Sequence, residues 1–168
     1  MRFGGSTQYH PPPMSTWTIA VDDPRKPDIV ALLQRHLSFA HEVTPPEDVH
    51  ALDLDGLLDP AVSFLSLREG DRLLGIGAIM DLGAGHMELK SIHTAETARG
   101  RGVGRAIVDR LLEVARERGA IRVSLETGSM EAFAPSRALY AAVGFVECEP
   151  FGDYSPSRAS TFMTRELR

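Results

Sequence analysis

The run Arg99-Gly100-Arg101-Gly102-Val103-Gly104-Arg105 concentrates three glycines and three arginines in seven residues. Glycines let backbone N–H groups converge on one point, and the first amides of a helix have no internal partners. Directly after the loop, Val103, Ile107, Leu111, Val114 and Ala115 recur at helical spacing, so the run opens a helix that Gly119 ends past Arg118. Such a nest of amides at a helix start binds phosphate through hydrogen bonds and the helix dipole. The arginines add positive charge to an otherwise acidic chain, with 18 Lys plus Arg against 23 Asp plus Glu. The chemistry this predicts is the capture of a pyrophosphate-bearing cofactor.

Spacing narrows the choice of cofactor. No Gly-x-x-x-x-Gly-Lys-Ser/Thr string is present. A dinucleotide fingerprint fails in both registers, because its third glycine would fall at Arg105 or Ile107. Glu126 stands where a ribose-binding acid belongs, yet too little chain follows Gly104 for the rest of a doubly wound sheet. A nicotinamide-dependent oxidoreductase is therefore only an alternative reading.

Two strings together carry a resemblance. Arg99-x-x-Gly102-x-Gly104 resembles the Q/R-x-x-G-x-G/A signature of the GCN5-related N-acetyltransferase (GNAT) family. Further on, Ala138-Leu139-Tyr140-Ala141-Ala142-Val143-Gly144-Phe145 is similar to that family's L-Y-x-x-x-G-F motif. The likeness extends over the chain from Thr16 to Leu167, and is closest to small bacterial acetyltransferases with a run like Leu125 to Met130. It implies an α+β (α/β sandwich) fold, a mixed, mostly antiparallel sheet of about six or seven strands with helices on both faces. Two central parallel strands, at about 87–94 and 121–127, would splay apart to admit acetyl-CoA.

Carried over residue by residue, the likeness places Arg99, Gly100, Arg101, Gly102, Val103, Gly104 and Arg105 around the diphosphate. Backbone groups of Ile92 and Thr94, flanking His93, would pair with the pantetheine arm, and Tyr140 would lie near the sulfur. The family often has an asparagine seven residues before the tyrosine, where this chain has Phe133. Ser136 or Arg137 would then make the cofactor contact, or it is absent. Acceptor binding is expected from the first helix and a late loop, through His41, Glu42, Asp153 and Tyr154. Asp153 could pair with a substrate ammonium, and Arg137 or His41 with a carboxylate.

Acetyl transfer to an amine requires a proton acceptor, a stabiliser for the thioester oxygen and a proton for the departing thiolate. A backbone N–H near Ile92 to Thr94 meets the second need, and the Tyr140 phenol the third. For the base, Glu126, Glu88 and His93 stay open. Glu126 would point away from the core face taken by Ile121, Val123 and Leu125. A non-catalytic acyl-CoA-binding sensor is the further alternative. The expected acceptor is a small-molecule amine.

The elements that must position these groups are legible from periodicity. Strands are expected at Thr16–Val21, Val62–Leu67, Arg72–Met80, His86–Thr94, Ile121–Thr127, Phe145–Cys148 and Ser160–Leu167. Helices are expected at Pro27–Ala40, from the glycine loop to Arg118, and at Pro135–Val143, with a weak helical stretch at Val49–Leu58. Arg68–Asp71 reads as a hairpin turn, and Gly75 and Gly77 as a bulge or a close backbone approach.

At 168 residues and 43% hydrophobic, the chain suits one domain, here 15–168. A disordered tail, 1–14, is expected to precede it, and Met14 could be the native start. A net charge of −5 argues against nucleic-acid partners, and no apolar run suits a membrane. One cysteine, Cys148, fits a reducing, cytoplasmic setting. Without H-x-x-x-H spacing among the six histidines no metal is expected. Edge strands near the C-terminus leave room for a homodimer.

Overall fold

The computed structural model describes residues 16–50 and 53–168. The tail expected at 1–14 lies outside the described residues, as do positions 51 and 52. In chain order the elements are β1 (Trp17–Val21), α1 (Pro27–Val43), α2 (Leu54–Leu57), β2 (Val62–Glu69), β3 (Arg72–Gly83) and β4 (His86–Thr94). They continue with α3 (Val103–Glu117), β5 (Arg122–Gly128), α4 (Ala134–Ala142), β6 (Val146–Glu147) and β7 (Ser160–Glu166). One seven-stranded sheet runs in the order β1-β2-β3-β4-β5-β7-β6. Every neighbouring pair is antiparallel except β4 and β5, which are parallel. Among the described residues no helix is long and apolar enough to cross a membrane.

Period-two alternation gives the sheet two apolar faces, and each receives helices. On β3, Ile79 joins the larger core with Val103, Ile107 and Leu111 of α3 and with Tyr140 and Val143, and so does Leu74, the extra residue of a bulge between Leu67↔Gly75 and Arg68↔Leu73. Ile76 and Ala78 face the other way, into a smaller core with Ile29, Leu32 and Leu33 of α1 and Leu57 of α2. Gly75 and Gly77 exist because α3 presses on β3. A Cβ on Gly77 would stand 2.5 Å from Ile107 Cγ2, and one on Gly75 2.7 Å from Val103 Cγ1.

The parallel pair parts halfway along. β4 and β5 are in register from His86↔Arg122 to Leu89↔Leu125, and beyond that neither strand pairs with the other. A bulge in β4 coincides with the parting. Ser91 and Ile92 together oppose Gly77, between Ile76↔His93 and Ala78↔Lys90. Ser91 takes a left-handed backbone conformation, φ 55°, that few side chains adopt. Bulges bend a strand and increase its twist. β4 thus stays with β3 up to Thr94, while β5 stays with β7 up to Gly128↔Ser160, and a wedge opens between them.

Four expectations need correction. Ile121 does not face the core; it precedes β5 and is 65% exposed. Among the described residues of the weak helical stretch, the helix is the single turn of α2, where Asp53 accepts a hydrogen bond from the Gly56 amide at 2.9 Å. In the hairpin, Arg68 and Glu69 belong to β2 and pair with Leu73 and Arg72, so the turn is only Gly70-Asp71. Cys148 lies just past β6, although its amide still donates to the Phe162 carbonyl at 2.9 Å.

Replacing Gly77 with valine should lower unfolding stability by about 1–3 kcal/mol, because α3 must move off the sheet. Chemical denaturation measures it, and an unchanged midpoint contradicts the close contact.

Candidate active site

The glycine-arginine loop leads into α3 through two left-handed residues, Gly100 at φ 76° and Gly102 at φ 83°. Only glycine adopts that conformation without strain, so the alternation of glycine and arginine is a backbone requirement. Gly102 is the N-cap, and its carbonyl accepts from the Ala106 amide at 3.0 Å. Among the described residues, none of the amides from Gly100 to Arg105 has an acceptor within the chain. No acidic side chain sits in the first turn of α3, so the positive end of its dipole is unopposed.

The arginines behave differently from one another. Arg101 turns toward the β1–β2 edge, where Nη2 donates to Glu69 Oε1 at 2.8 Å and the guanidinium lies over the Trp17 ring at 5.6 Å. Arg105 pairs with Asp109 at 3.2 Å on the surface of α3. Arg99 is exposed and near enough to His93 to depress its pKa. With Arg101 and Arg105 paired, the donors the loop holds out are its amides and the Arg99 guanidinium. The loop meets the end of β4: a Cβ on Gly104 would lie 3.6 Å from Thr94 Oγ1 and 3.1 Å from Leu139.

Alongside the middle of β4 lies a cavity of about 100 Å³. Its walls come from the parted ends of both strands, from His36 and Ala40 of α1, from Thr44 and Asp48 to His50, and from Phe133, Ser136, Tyr140 and Tyr154. Glu126 enters it from β5, with its pKa pushed up to about 7 by burial. The Ser160 hydroxyl and the Lys90 ammonium oppose that rise, while Glu88 and Asp48 add to it. Tyr140, 8% exposed, has its phenol pKa raised by burial and then by Glu126, and so stays protonated.

Glu88, 3% exposed, is occupied. It forms an ion pair with Lys90 at 3.1 Å and accepts a hydrogen bond from the Tyr154 hydroxyl. Lys90 Nζ also donates to that hydroxyl at 3.0 Å. His93 turns toward α1, where its Nδ1 lies 3.3 Å from Nδ1 of His36. Burial first, then His36, Arg99 and Arg35, push its pKa down to about 4. Of the three base candidates, Glu126 lines the cavity without an ion pair, Glu88 lines it within one, and His93 is not part of its wall.

Arg137 does not face the cavity; its Nη1 donates to the carbonyls of Gly128 at 2.7 Å and Met130 at 2.9 Å, fixing the turn after β5. Ser136 is in the cavity wall, and Phe133 packs against Gly128 there. On the acceptor side, His41, Glu42 and Asp153 are exposed and line no part of the cavity. The inward face of α1 passes through His36 and Ala40, which turns His41 outward, and Asp153 sits at a loop tip whose next residue, Tyr154, turns in. Sequence reasoning missed Lys90, although its two-residue spacing from Glu88 puts both on one face of a strand. It also missed Ser91, Asp48 and His50, which carry no periodic signal.

A parted parallel pair, a helix start with free amides and a half-buried acid beside a phenol meet along β4. The chain belongs to the acetyltransferase (GNAT) family, whose model matches residues 27–145. It is 42% identical over 149 residues to the uncharacterized N-acetyltransferase YsnE of Bacillus subtilis, covering 89% of this chain and 99% of that protein. It is 36% identical over 155 residues to an IAA acetyltransferase of Azospirillum brasilense, covering 92% of this chain and all of that one. The fold is that of a Bacillus subtilis acetyltransferase crystallised with CoA, at a TM-score of 0.69 and 18% identity, covering 91% of this chain and 100% of that chain. A doubly wound nicotinamide-binding sheet, the alternative from spacing, is not what this chain forms.

The raised pKa of Glu126 has a stability consequence. The folded state holds its proton up to about pH 7, whereas an unfolded carboxyl releases it near 4.5. Stability therefore falls as pH rises between those values, and the full cost is present above 7. Glu126→Gln should be more stable than the parent by about 1–3 kcal/mol at pH 8 and no different below pH 4. Denaturant titrations at both pH values test this, and equal stabilities at pH 8 contradict it.

Proposed function

We propose that this chain transfers the acetyl group of acetyl-CoA to the primary amine of a small molecule by direct attack in a ternary complex, with residues 15–168 as the catalytic domain. The observation that carries the reading is the divergence of β4 from β5 past Leu89 and Leu125, with the free amides of the α3 loop at the end of β4 and the Glu126–Tyr140 cavity beside its middle. The residues suit such a ligand: unpaired donors for a diphosphate, an unladdered strand edge for an amide-bearing arm, and a cavity at its tip.

When bound, acetyl-CoA supplies a thioester carbonyl carbon open to nucleophilic attack. The amides of Arg101 to Arg105 hold the diphosphate. From Lys90 onward the edge of β4 turned away from β3 has no ladder partner, so backbone groups of Ile92 and Thr94 are free to pair with the pantetheine amides. A backbone N–H on that edge donates to the acyl oxygen as charge gathers there. Glu126 removes a proton from the acceptor's ammonium, which frees the nitrogen lone pair to form the C–N bond. As the C–S bond breaks, Tyr140 gives its proton to sulfur, and the second proton leaving nitrogen restores the phenol.

Two measurements test these roles. The turnover number should climb with pH about a midpoint near 7, set by Glu126, and lose that limb in Glu126→Gln. Tyr140→Phe should lower kcat by about 10²-fold while CoA still raises the melting temperature. Gly102→Val should abolish that thermal shift, since a branched side chain cannot hold φ 83°. Undiminished turnover in Tyr140→Phe, or a parent protein stabilised by NAD and not by CoA, refutes the reading.

A further inference from the structure

We infer that the acceptor carries a second positive charge beyond its reacting amine, as a short diamine does and an amino acid does not, and that Asp48 recognises it. The inference rests on the proposed function and refines its acceptor. Among the described residues the acidic groups in the cavity wall are Asp48, Glu88 and Glu126, against a single ammonium, Lys90, and no arginine. The Glu88–Lys90 pair cancels itself, with both side chains under a tenth exposed and the Tyr154 hydroxyl bonded to each. Two carboxylates are left. Glu126 is committed to the ammonium that reacts.

Asp48 ends the 3₁₀ turn Pro46–Asp48, half-buried on the segment that covers the cavity between α1 and α2. Among the described residues its carboxylate makes no ion pair and no side-chain hydrogen bond. It is close enough to Glu126 to raise that group's pKa. A cation between the two acids relieves this repulsion, and the aromatic rings of Tyr154 and Phe133 line the same space. His36 also faces it, with its pKa lowered by burial, so at alkaline pH it adds no positive charge.

An acceptor carboxylate has no comparable partner. The ammonium in the wall is that of Lys90, which would have to leave Glu88, and a buried acid stripped of its partner is costly; the other basic groups there are the imidazoles of His36 and His50. The same carboxylate would face Asp48 and Glu126 at close range.

The test uses the full chain, acetyl-CoA and three acceptors of matched length: n-butylamine, 1,4-diaminobutane and 4-aminobutanoate, with thiol release as readout at moderate salt. The diamine should exceed butylamine in kcat/KM by about tenfold, and 4-aminobutanoate should fall below both. Asp48→Asn should shrink the diamine-to-butylamine ratio severalfold, a ratio that any general loss of activity leaves unmoved. Equal or better turnover of 4-aminobutanoate, or an unchanged ratio in Asp48→Asn, overturns the inference. Acetylation of butylamine with no gain for the diamine overturns the charge inference alone. No thiol release with these or any wider panel of amines overturns the proposed function as well.

Discussion

β4 cannot keep both of its neighbours. The bulge at Ser91 turns the second half of the strand along β3, and β5 is carried off by its long antiparallel ladder with β7. Seven pairs hold β5 to β7, from Arg122↔Glu166 to Gly128↔Ser160, whereas only four hold it to β4. The stronger ladder wins, and the sheet opens in its middle rather than at an edge. Unpaired backbone groups in a sheet interior are ordinarily a cost that folding avoids. Here they lie beside a cavity, where a ligand can pair with them.

The same wedge explains why the glycines of β3 are where they are. α3 must start at the end of β4 if its free amides are to serve a ligand that runs along the gap. That start brings Val103 and Ile107 down onto β3, where any side chain at 75 or 77 would collide with them. Backbone contact between helix and sheet is thus imposed by the position of the loop. The clamp of Arg101 between Glu69 and the Trp17 ring secures the loop from its other side.

Much of this was legible in the residues. Strand β4 was bounded from His86 to Thr94, and α3 from its glycines, because apolar periodicity and glycine punctuation are local signals. Gly75 and Gly77 announced the close approach for the same reason. What escaped was set by tertiary context. The bulge needs Ser91 in a glycine-like conformation, and nothing in a serine says so. Ile121 alternates correctly with Val123 and Leu125, yet β5 has not begun there and the core does not reach it. His41 and Asp153 were chosen by region, but each lies one position from the residue that turns inward, Ala40 and Tyr154, and loop direction is not written in residue type.

Two acids, Glu88 buried and Glu126 half-buried, face one cavity from neighbouring strands, and their surroundings give them different work. Glu88 receives an ammonium and a phenol hydroxyl, and with Lys90 forms a closed unit that links β4 to the Tyr154 loop. Among the described residues Glu126 receives no ion-pair partner; burial outweighs the Ser160 hydroxyl and the Lys90 charge, and its affinity for a proton rises to the neutral range. A carboxyl that must take a proton from an ammonium and release it to solvent each cycle is most useful with a pKa near the working pH. Pairing Glu126 with Lys90 instead would lower its basicity and block its approach. In the proposed mechanism the ion pair beside it therefore serves the reaction by what it occupies: it fixes the lysine on Glu88 and leaves Glu126 uncommitted.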